Sequence, residues 1–264
     1  MIYNDREYRQ VRNVVMGVSL IAWAMIFNKP ASSSSWCCGG DCPSQLQMAL
    51  GADAPLTLIA EVALTENAPG PLLGDWALML LAMMTPTLIH PLVHVRMSSF
   101  ASRRLRATAL FTAGYLGMWM LAGLPFLATM LASRAIWPGS YIPAIVVGMF
   151  ALLWQASPIK QRALNRCHKH MPLHAFGKKA DADTLVFGVV HGSWCLSSCW
   201  ALMLFAMLLP EGHSLGMAAV SILVFCERLD PPKTPAWQWR GFSTISGYLM
   251  NRIPKTHAGS TTGA

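Results

Sequence analysis

The chain has 264 residues, of which 54% are hydrophobic and only 12% are charged, and its formal net charge is +8. Soluble domains carry about 25% charged residues, so this composition argues against a soluble domain and favours a membrane protein. The positive charge does not call for a nucleic-acid partner, because basic loops and contact with anionic lipid account for it.

Six apolar segments are long enough to cross a hydrocarbon core, which needs roughly 20 helical residues. In chain order they cover about residues 13–28, 72–95, 107–131, 141–157, 184–210 and 213–229. If both termini are cytoplasmic, 18 of the 20 Lys and Arg residues lie inside, and only Lys29 and Arg134 lie outside. This distribution follows the positive-inside rule. The sequence therefore predicts an all-α polytopic bundle of six transmembrane helices with both termini cytoplasmic. It forms one membrane domain over residues 1–264, with a cytoplasmic tail over 232–264.

The first apolar segment also has features of a signal peptide, with basic residues before it and small residues from Ala31 to Ser35. Its removal would leave five helices and place the two termini on opposite sides, which would spoil the charge distribution. We therefore expect this segment to remain in the protein as a helix.

The predicted extracytoplasmic loop, residues 29–71, contains three cysteines: Cys37, Cys38 and Cys42. Thiols outside the cytoplasm usually oxidise, so we expect one disulfide and one spare thiol, with a metal-capturing loop as the alternative. Within this loop, residues 56–64 predict a short interfacial helix, because the segment is too short to span a bilayer and contains Glu61.

Helix two, the segment 72–95, carries several soft ligands on one side. Four of its side chains share about 60° of helical arc: Met79, Met83, His90 and His94. Asp75 lies on the same side. We expect Pro86 and Pro91 to kink this helix.

Helix five contains the stretch HGSWCLSSCWALM, residues 191–203. With about 100° per residue, His191, Cys195 and Cys199 fall along one side of the helix, and Ser198 lies close to it. Polar groups at this depth are costly and often functional, so a metal or redox site is one interpretation.

Helix packing is the other interpretation of the same stretch. Gly188 and Gly192 form a small-xxx-small pattern, and small residues on one face let helices approach closely. The residues alone leave both interpretations open.

The ligand types of helices two and five indicate which metal a shared site would hold. Thiolate and thioether groups together suit Cu(I), and Cys with His alone would also suit zinc. We therefore expect copper, with zinc as the alternative, where helices two and five meet.

A second ligand-rich stretch, CHKHMPLH, lies in the predicted inner loop between helices four and five. Its ligand-type side chains are Cys167, His168, His170, Met171 and His174. Many Lys and Arg residues surround them and disfavour a bound cation. A basic loop that faces lipid is one interpretation, and transient hand-off of metal to a cytosolic acceptor is the other.

Three catalytic motifs do not occur in the sequence: GxxxxGK[ST], HExxH and CxxC. Their absence argues against ATP-driven transport by this chain alone, against a zinc hydrolase of the HExxH type and against a thiol–disulfide oxidoreductase. The sequence thus gives no positive indication of an enzyme.

The chain resembles a bacterial family of predicted metal-binding integral membrane proteins, some of which are labelled copper chaperones. The resemblance covers about residues 72–231 and is carried by five motifs: WALMLLAMMTPTL (76–88), YLGMW (115–119), WQASPIKQRALNRC (154–167), HGSWCLSSCWALM (191–203) and ERLDP (227–231). Family members usually have a Cys-x-x-Cys-Cys-Trp run in helix five and two cysteines four apart in the inner loop. Here Ser198 and Ala163 stand at two of those cysteine positions. The resemblance implies a sparser Cys, His and Met set, which indicates either copper or a site that has decayed. It also implies a place in the bacterial inner (cytoplasmic) membrane.

Three functional hypotheses follow. The leading one is that the chain binds copper through helices two and five and delivers it to a membrane metalloenzyme or a copper protein. The second is a non-catalytic accessory subunit of a membrane oxidoreductase, motivated by the small-residue face of helix five. The third is a haem or quinone enzyme that uses His90, His94 and His191.

Overall fold

The structure is a computed structural model that describes residues 5–29, 69–137 and 139–239. Their helices are α1 (Asp5–Phe27), α2 (Pro69–Met84), α3 (Ile89–Met97), α4 (Arg104–Ile136), α5 (Ile142–Ala156), α6 (Pro158–Cys167), α7 (Gly177–Met207) and α8 (His213–Leu229). No strand occurs within these ranges, which confirms the predicted all-α class. The predictions for Cys37, Cys38 and Cys42, for the helix at 56–64 and for the end of the tail lie outside the described residues.

Four helical segments in the described ranges are long and apolar enough to cross a membrane: Arg6–Phe27, Gly70–Met97, Ala101–Arg134 and Gly177–Met207. The pair α5 and α6, bent by 68°, makes a fifth if the two helices are one span. α8 coincides with the sixth predicted segment but has only 17 residues. The six-span topology and the cytoplasmic termini therefore stay predictions.

Helix two is interrupted where its prolines were expected to disturb it. α2 ends at Met84, and a 3-10 turn over Thr85–Leu88 precedes α3. Pro86 lies in this turn, where a residue without an N–H cannot continue the regular hydrogen-bond pattern. The hydroxyl of Thr87 donates to the carbonyl of Met84 at 2.7 Å. This bond satisfies a backbone oxygen that would otherwise be costly in an apolar interior.

The region predicted as the inner loop contains α6, which the sequence analysis did not identify. Ser157 caps this helix by accepting a hydrogen bond from the backbone N–H of Lys160 at 3.2 Å, and Pro158 begins it. One face of α6 is buried, and the other exposes Arg162 and Arg166. The helix is too short and too basic to stand out as an apolar span, which is why it was missed.

α4 and α7 make the most extensive helix pair in the described part of the chain. A Cβ atom on Gly188 would lie 2.2 Å from the carbonyl oxygen of Phe111, and one on Gly114 would lie 2.5 Å from that of Leu185. The two backbones can approach this closely only because these positions lack a Cβ atom. The packing interpretation of Gly188 and Gly192 is therefore supported, and the partner is α4 of the same chain.

Gly188→Ala should lower the free energy of unfolding by about 1–3 kcal/mol, the usual cost of overpacking. Gly117→Ala, on α4, is the matched control, because the space around its Cβ position is open. It should change stability by less than about 1 kcal/mol. Thermal unfolding in detergent measures both variants, and equal stability would contradict the close α4–α7 contact.

Candidate metal centre

Cys195 lies in the middle of the helix bundle beside two hydroxyl groups. Its thiol is 3.3 Å from the hydroxyl of Tyr115 on α4, and Thr87 of the 3-10 turn lies within hydrogen-bonding reach. The Cys195 side chain is fully buried. Thr87 of helix two and Cys195 of helix five are therefore neighbours, and the predicted ligand site shared by the two helices stays a prediction.

Cys199 follows Cys195 by one turn of α7, and the two thiols are in hydrogen-bonding contact. The sulfur of Cys199 also donates to the backbone carbonyl of Cys195 at 3.2 Å. Both cysteines are free and buried. The interior of the bundle thus holds two adjacent soft ligands.

A guanidinium group faces these thiols. Arg228, in the last turn of α8, interacts electrostatically with Cys195, Cys199 and Cys167, and the Cys167 thiol lies beside it. Its Nε and Nη1 atoms are buried and make no well-formed hydrogen bond. Among the described residues Arg228 pairs with no carboxylate. The thiols are therefore the neighbouring groups that can balance its charge.

Ser198, at a position where the family usually has a cysteine, supports this arrangement. Its hydroxyl oxygen accepts a hydrogen bond from Nη2 of Arg228 at 3.0 Å. The same hydroxyl donates to the backbone carbonyl of Cys195 at 2.7 Å. Serine therefore connects the guanidinium group to the backbone of the thiol-bearing turn.

Glu227, the neighbour of Arg228 in the chain, forms a fully buried ion pair with Lys160 of α6. The Lys160 Nζ and Glu227 Oε1 atoms are 2.8 Å apart. The Gln155 side chain joins both partners, because its amide donates to Glu227 and its oxygen accepts from Lys160. This network fixes α8 against α5 and α6, and so fixes the position of Arg228.

The candidate ligands of helix two divide between the interior and the periphery. Met79 and Met83 are buried in the extended apolar core of the bundle, which also contains Cys195 and Cys199. His90 is exposed, and its ring packs against Tyr8 of α1 with centroids 6.0 Å apart. The methionines remain candidates for the interior site, and His90 is directed toward α1.

Three histidine rings pack around the ring of Phe187. They do not converge on a point where one metal ion would bind. The centroid of Phe187 lies 5.8 Å from His94, 5.9 Å from His191 and 6.3 Å from His170. His191 packs in addition against the rings of Phe111 and Tyr115, both at 6.0 Å. The Phe187 side chain thus separates His191 from the other two histidines.

His94 and His170 approach each other at the inner end of this group, with ring centroids 4.7 Å apart. His94 Nε2 lies 2.9 Å from the carbonyl oxygen of Met171. Burial and the neighbouring imidazoles lower the pKa of His170 to about 4, so this ring is neutral at pH 7. A neutral imidazole is the form that binds metal.

The other histidines of the second cluster have different partners. The ring nitrogens of His168 lie 2.9 Å and 3.3 Å from the carbonyl oxygens of Leu164 and Arg228. The His174 ring pairs with Asp183. The structure therefore does not bring the CHKHMPLH ligands together. In the three described ranges, no group of three or more His, Cys, Asp or Glu residues is arranged to hold a metal ion.

Sequence reasoning missed the interior roles of Arg228, Lys160 and Glu227. The sequence analysis counted Arg228 and Lys160 only among the basic residues predicted on the cytoplasmic side. A signal was present, because all three belong to motifs that carry the family resemblance, and buried charges are retained in a membrane only with partners.

Lys160→Met should lower the free energy of unfolding by roughly 3–5 kcal/mol, because it leaves the Glu227 carboxylate buried and unpaired. The double variant with Glu227→Leu should recover most of the loss. Lys233→Met is the control, because it removes an exposed ion pair with Asp230 and should cost less than about 1 kcal/mol. Unfolding in detergent measures all three, and a double variant no better than Lys160→Met would contradict the pairing.

Comparison with known proteins tests the resemblance seen in the sequence. The family model described as PpoB2, copper chaperone, matches residues 73–250. No curated protein and no solved structure matches the chain. The matched region includes α3 to α8 and contains every cysteine and histidine of the centre described above. The match covers more than half of the 264 residues, and the chain therefore belongs to the PpoB2 copper chaperone family.

Proposed function

We propose that this protein is an integral membrane protein that holds Cu(I) as cargo on Cys195 and Cys199 and delivers it to a membrane metalloenzyme or a copper protein. The family description supports copper handling. The observation that carries the choice of ligands is the contact between two buried free thiols beside a guanidinium group that has no carboxylate partner in the described ranges.

Exposed apolar side chains support a place in the lipid bilayer. On α5, four large apolar residues are each more than 60% exposed: Ile145, Val146, Met149 and Leu153. Faces of this kind mark contact with lipid or with another protein. The membrane we propose is the bacterial inner membrane, and the distribution of Lys and Arg supports six spans with cytoplasmic termini.

Charge balance explains why Arg228 would favour copper at the two thiols. Thiols lose their protons when they bind a metal. Two thiolates with one Cu(I) ion therefore form a unit with one net negative charge, which is costly in an apolar interior. The guanidinium group of Arg228 neutralises that unit. Without metal, the same guanidinium group has no carboxylate partner among the described residues.

The ligand set favours Cu(I) over zinc. Structural zinc sites almost always have four ligands. Cu(I) prefers soft sulfur ligands and accepts a small number of them. Met79 and Met83, in the same extended apolar core as the two cysteines, are the thioethers that we propose as additional ligands.

We propose that copper leaves the interior site through ligands closer to the predicted inner side. Cys167 lies beside Arg228 and offers the next thiol. His191 lies one turn of α7 before Cys195, and Phe187 separates it from His94 and His170. Movement of the Phe187 ring would connect these imidazoles into a route for transfer to an acceptor.

The alternative functions find less support. The accessory-subunit hypothesis was motivated by the small-residue face of helix five, and this face packs against α4 within the chain. The haem or quinone hypothesis needs histidines that converge. His90 instead packs on Tyr8, and Phe187 lies between His94 and His191.

Cys195→Ser and Cys199→Ser should each weaken Cu(I) binding by more than about 100-fold, because loss of a supporting residue alone costs roughly 10–100-fold. Cys226→Ser is the matched control. Cys226 is buried on α8, but its charged neighbours are Asp230 and Glu227 and do not include Arg228. Competition with a chromogenic Cu(I) chelator under reducing conditions measures the affinities. Equal affinity in all three variants would exclude these thiols as ligands.

Arg228→Met should change two quantities in opposite directions. The metal-free protein should become more stable by about 1–3 kcal/mol, because a buried group without its full set of partners is removed. Cu(I) affinity should fall by roughly 10–100-fold, as for other residues that support a metal site.

Arg228→Lys keeps the positive charge and should keep more of the Cu(I) affinity than Arg228→Met does. Arg106→Gln is the control for loss of a charge elsewhere, because the Arg106 side chain is largely exposed and pairs with Asp181. Unfolding and chelator competition are measured on the same preparations. A Cu(I) affinity of Arg228→Met equal to that of the unchanged protein would contradict the charge-balance argument.

A further inference from the structure

A groove of about 740 Å³ lies between α4, α5, α6 and α7, and no cysteine is among the residues that line it. Its volume is in the range of roughly 300–1,000 Å³ that is usual for small-molecule sites. Apolar side chains form most of its walls: Met118, Leu121, Pro125, Phe126, Ile159 and Leu196. Such walls suit a hydrocarbon chain better than a polar ligand.

Two arginines of α6 line one end of this groove. Arg162 and Arg166 lie one helical turn apart and are exposed. The Arg166 guanidinium group stacks over the Trp194 ring at 5.5 Å from its centroid. Within the ranges that the structure describes, neither arginine pairs with a carboxylate. The groove therefore offers two positive charges for which the described chain supplies no negative partner.

Three tryptophans complete the lining: Trp154, Trp194 and Trp200. The rings of Trp154 and Trp200 meet edge to face with centroids 5.5 Å apart, and Trp154 Nε1 donates to the carbonyl of Ser197 at 3.3 Å. The lining thus combines three tryptophan rings and two guanidinium groups with apolar walls.

We propose that this groove binds an anionic phospholipid, with an acyl chain along the apolar walls of α4 and α7 and the phosphate at Arg162 and Arg166. Charge complementarity favours this occupant over a zwitterionic phospholipid, because the cation of a zwitterionic headgroup offsets the phosphate charge that would balance the two guanidinium groups. Basic pockets between transmembrane helices recognise acidic headgroups in this way. The proposal shares the membrane location with the proposed function but uses none of the copper ligands.

Native mass spectrometry of the full chain tests the proposal directly. The purified protein is exchanged into detergent that contains equal amounts of phosphatidylglycerol and phosphatidylcholine with identical acyl chains. We expect phosphatidylglycerol adducts to predominate. Replacement of both Arg162 and Arg166 by Gln should weaken phosphatidylglycerol binding on the order of tenfold, because each basic residue near an anionic lipid contributes to its binding.

The matched control removes two positive charges elsewhere. Lys178 and Lys179 are exposed at the start of α7 and do not line the groove. Replacement of both by Gln should leave phosphatidylglycerol binding within about twofold of the unchanged protein. These two lysines do not line the groove, and salt screens their charges over that distance. Equal binding of the two lipids, or equal losses in the two double variants, would overturn the proposal.

A second measurement does not depend on variants. Phospholipids with brominated acyl chains quench the fluorescence of tryptophans that they contact. Brominated phosphatidylglycerol should quench the protein at lower mole fraction than brominated phosphatidylcholine, because three tryptophans line the groove. Identical quenching curves would contradict a selective site. Neither readout involves copper, so a failure here is distinguishable from a failure of the proposed copper function.

Discussion

Two adjacent residues of α8 carry opposite charges into the interior, and the candidate metal centre depends on how each charge is balanced. Glu227 is balanced by Lys160 in a fully buried pair that Gln155 completes. Arg228 pairs with no carboxylate among the described residues and faces the thiols. An uncompensated charge in an apolar interior is costly. The proposed copper–thiolate unit, which is an anion, would balance the charge of the Arg228 guanidinium group.

The close contact of α4 and α7 determines which polar groups lie in the interior beside Arg228. Gly114 and Gly188 allow the two backbones to approach, and the approach brings the Tyr115 hydroxyl to the Cys195 thiol. The same glycines that a packing interpretation explains therefore also build the polar interior. Helix packing and the proposed metal site both depend on this one helix pair, so the sequence could not separate the two interpretations.

The all-α class, most helix positions and the shared face of Cys195 and Cys199 were predictable, because apolar runs and helical spacing are local signals. The partners of the site residues were not. His191 packs among Phe111, Tyr115 and Phe187, three rings that come from two helices and carry no metal chemistry. The short basic helix α6 has no apolar-span signal, and its pairing with α8 joins residues 67 positions apart.

The central claim is that sulfur atoms of Cys195 and Cys199 hold Cu(I) beside Arg228. X-ray absorption spectroscopy at the copper edge of the loaded, reduced protein examines these ligands directly. The account predicts a first shell dominated by sulfur in the unchanged protein and its loss when both cysteines are replaced by serine. A first shell of nitrogen and oxygen alone in the unchanged protein would contradict it.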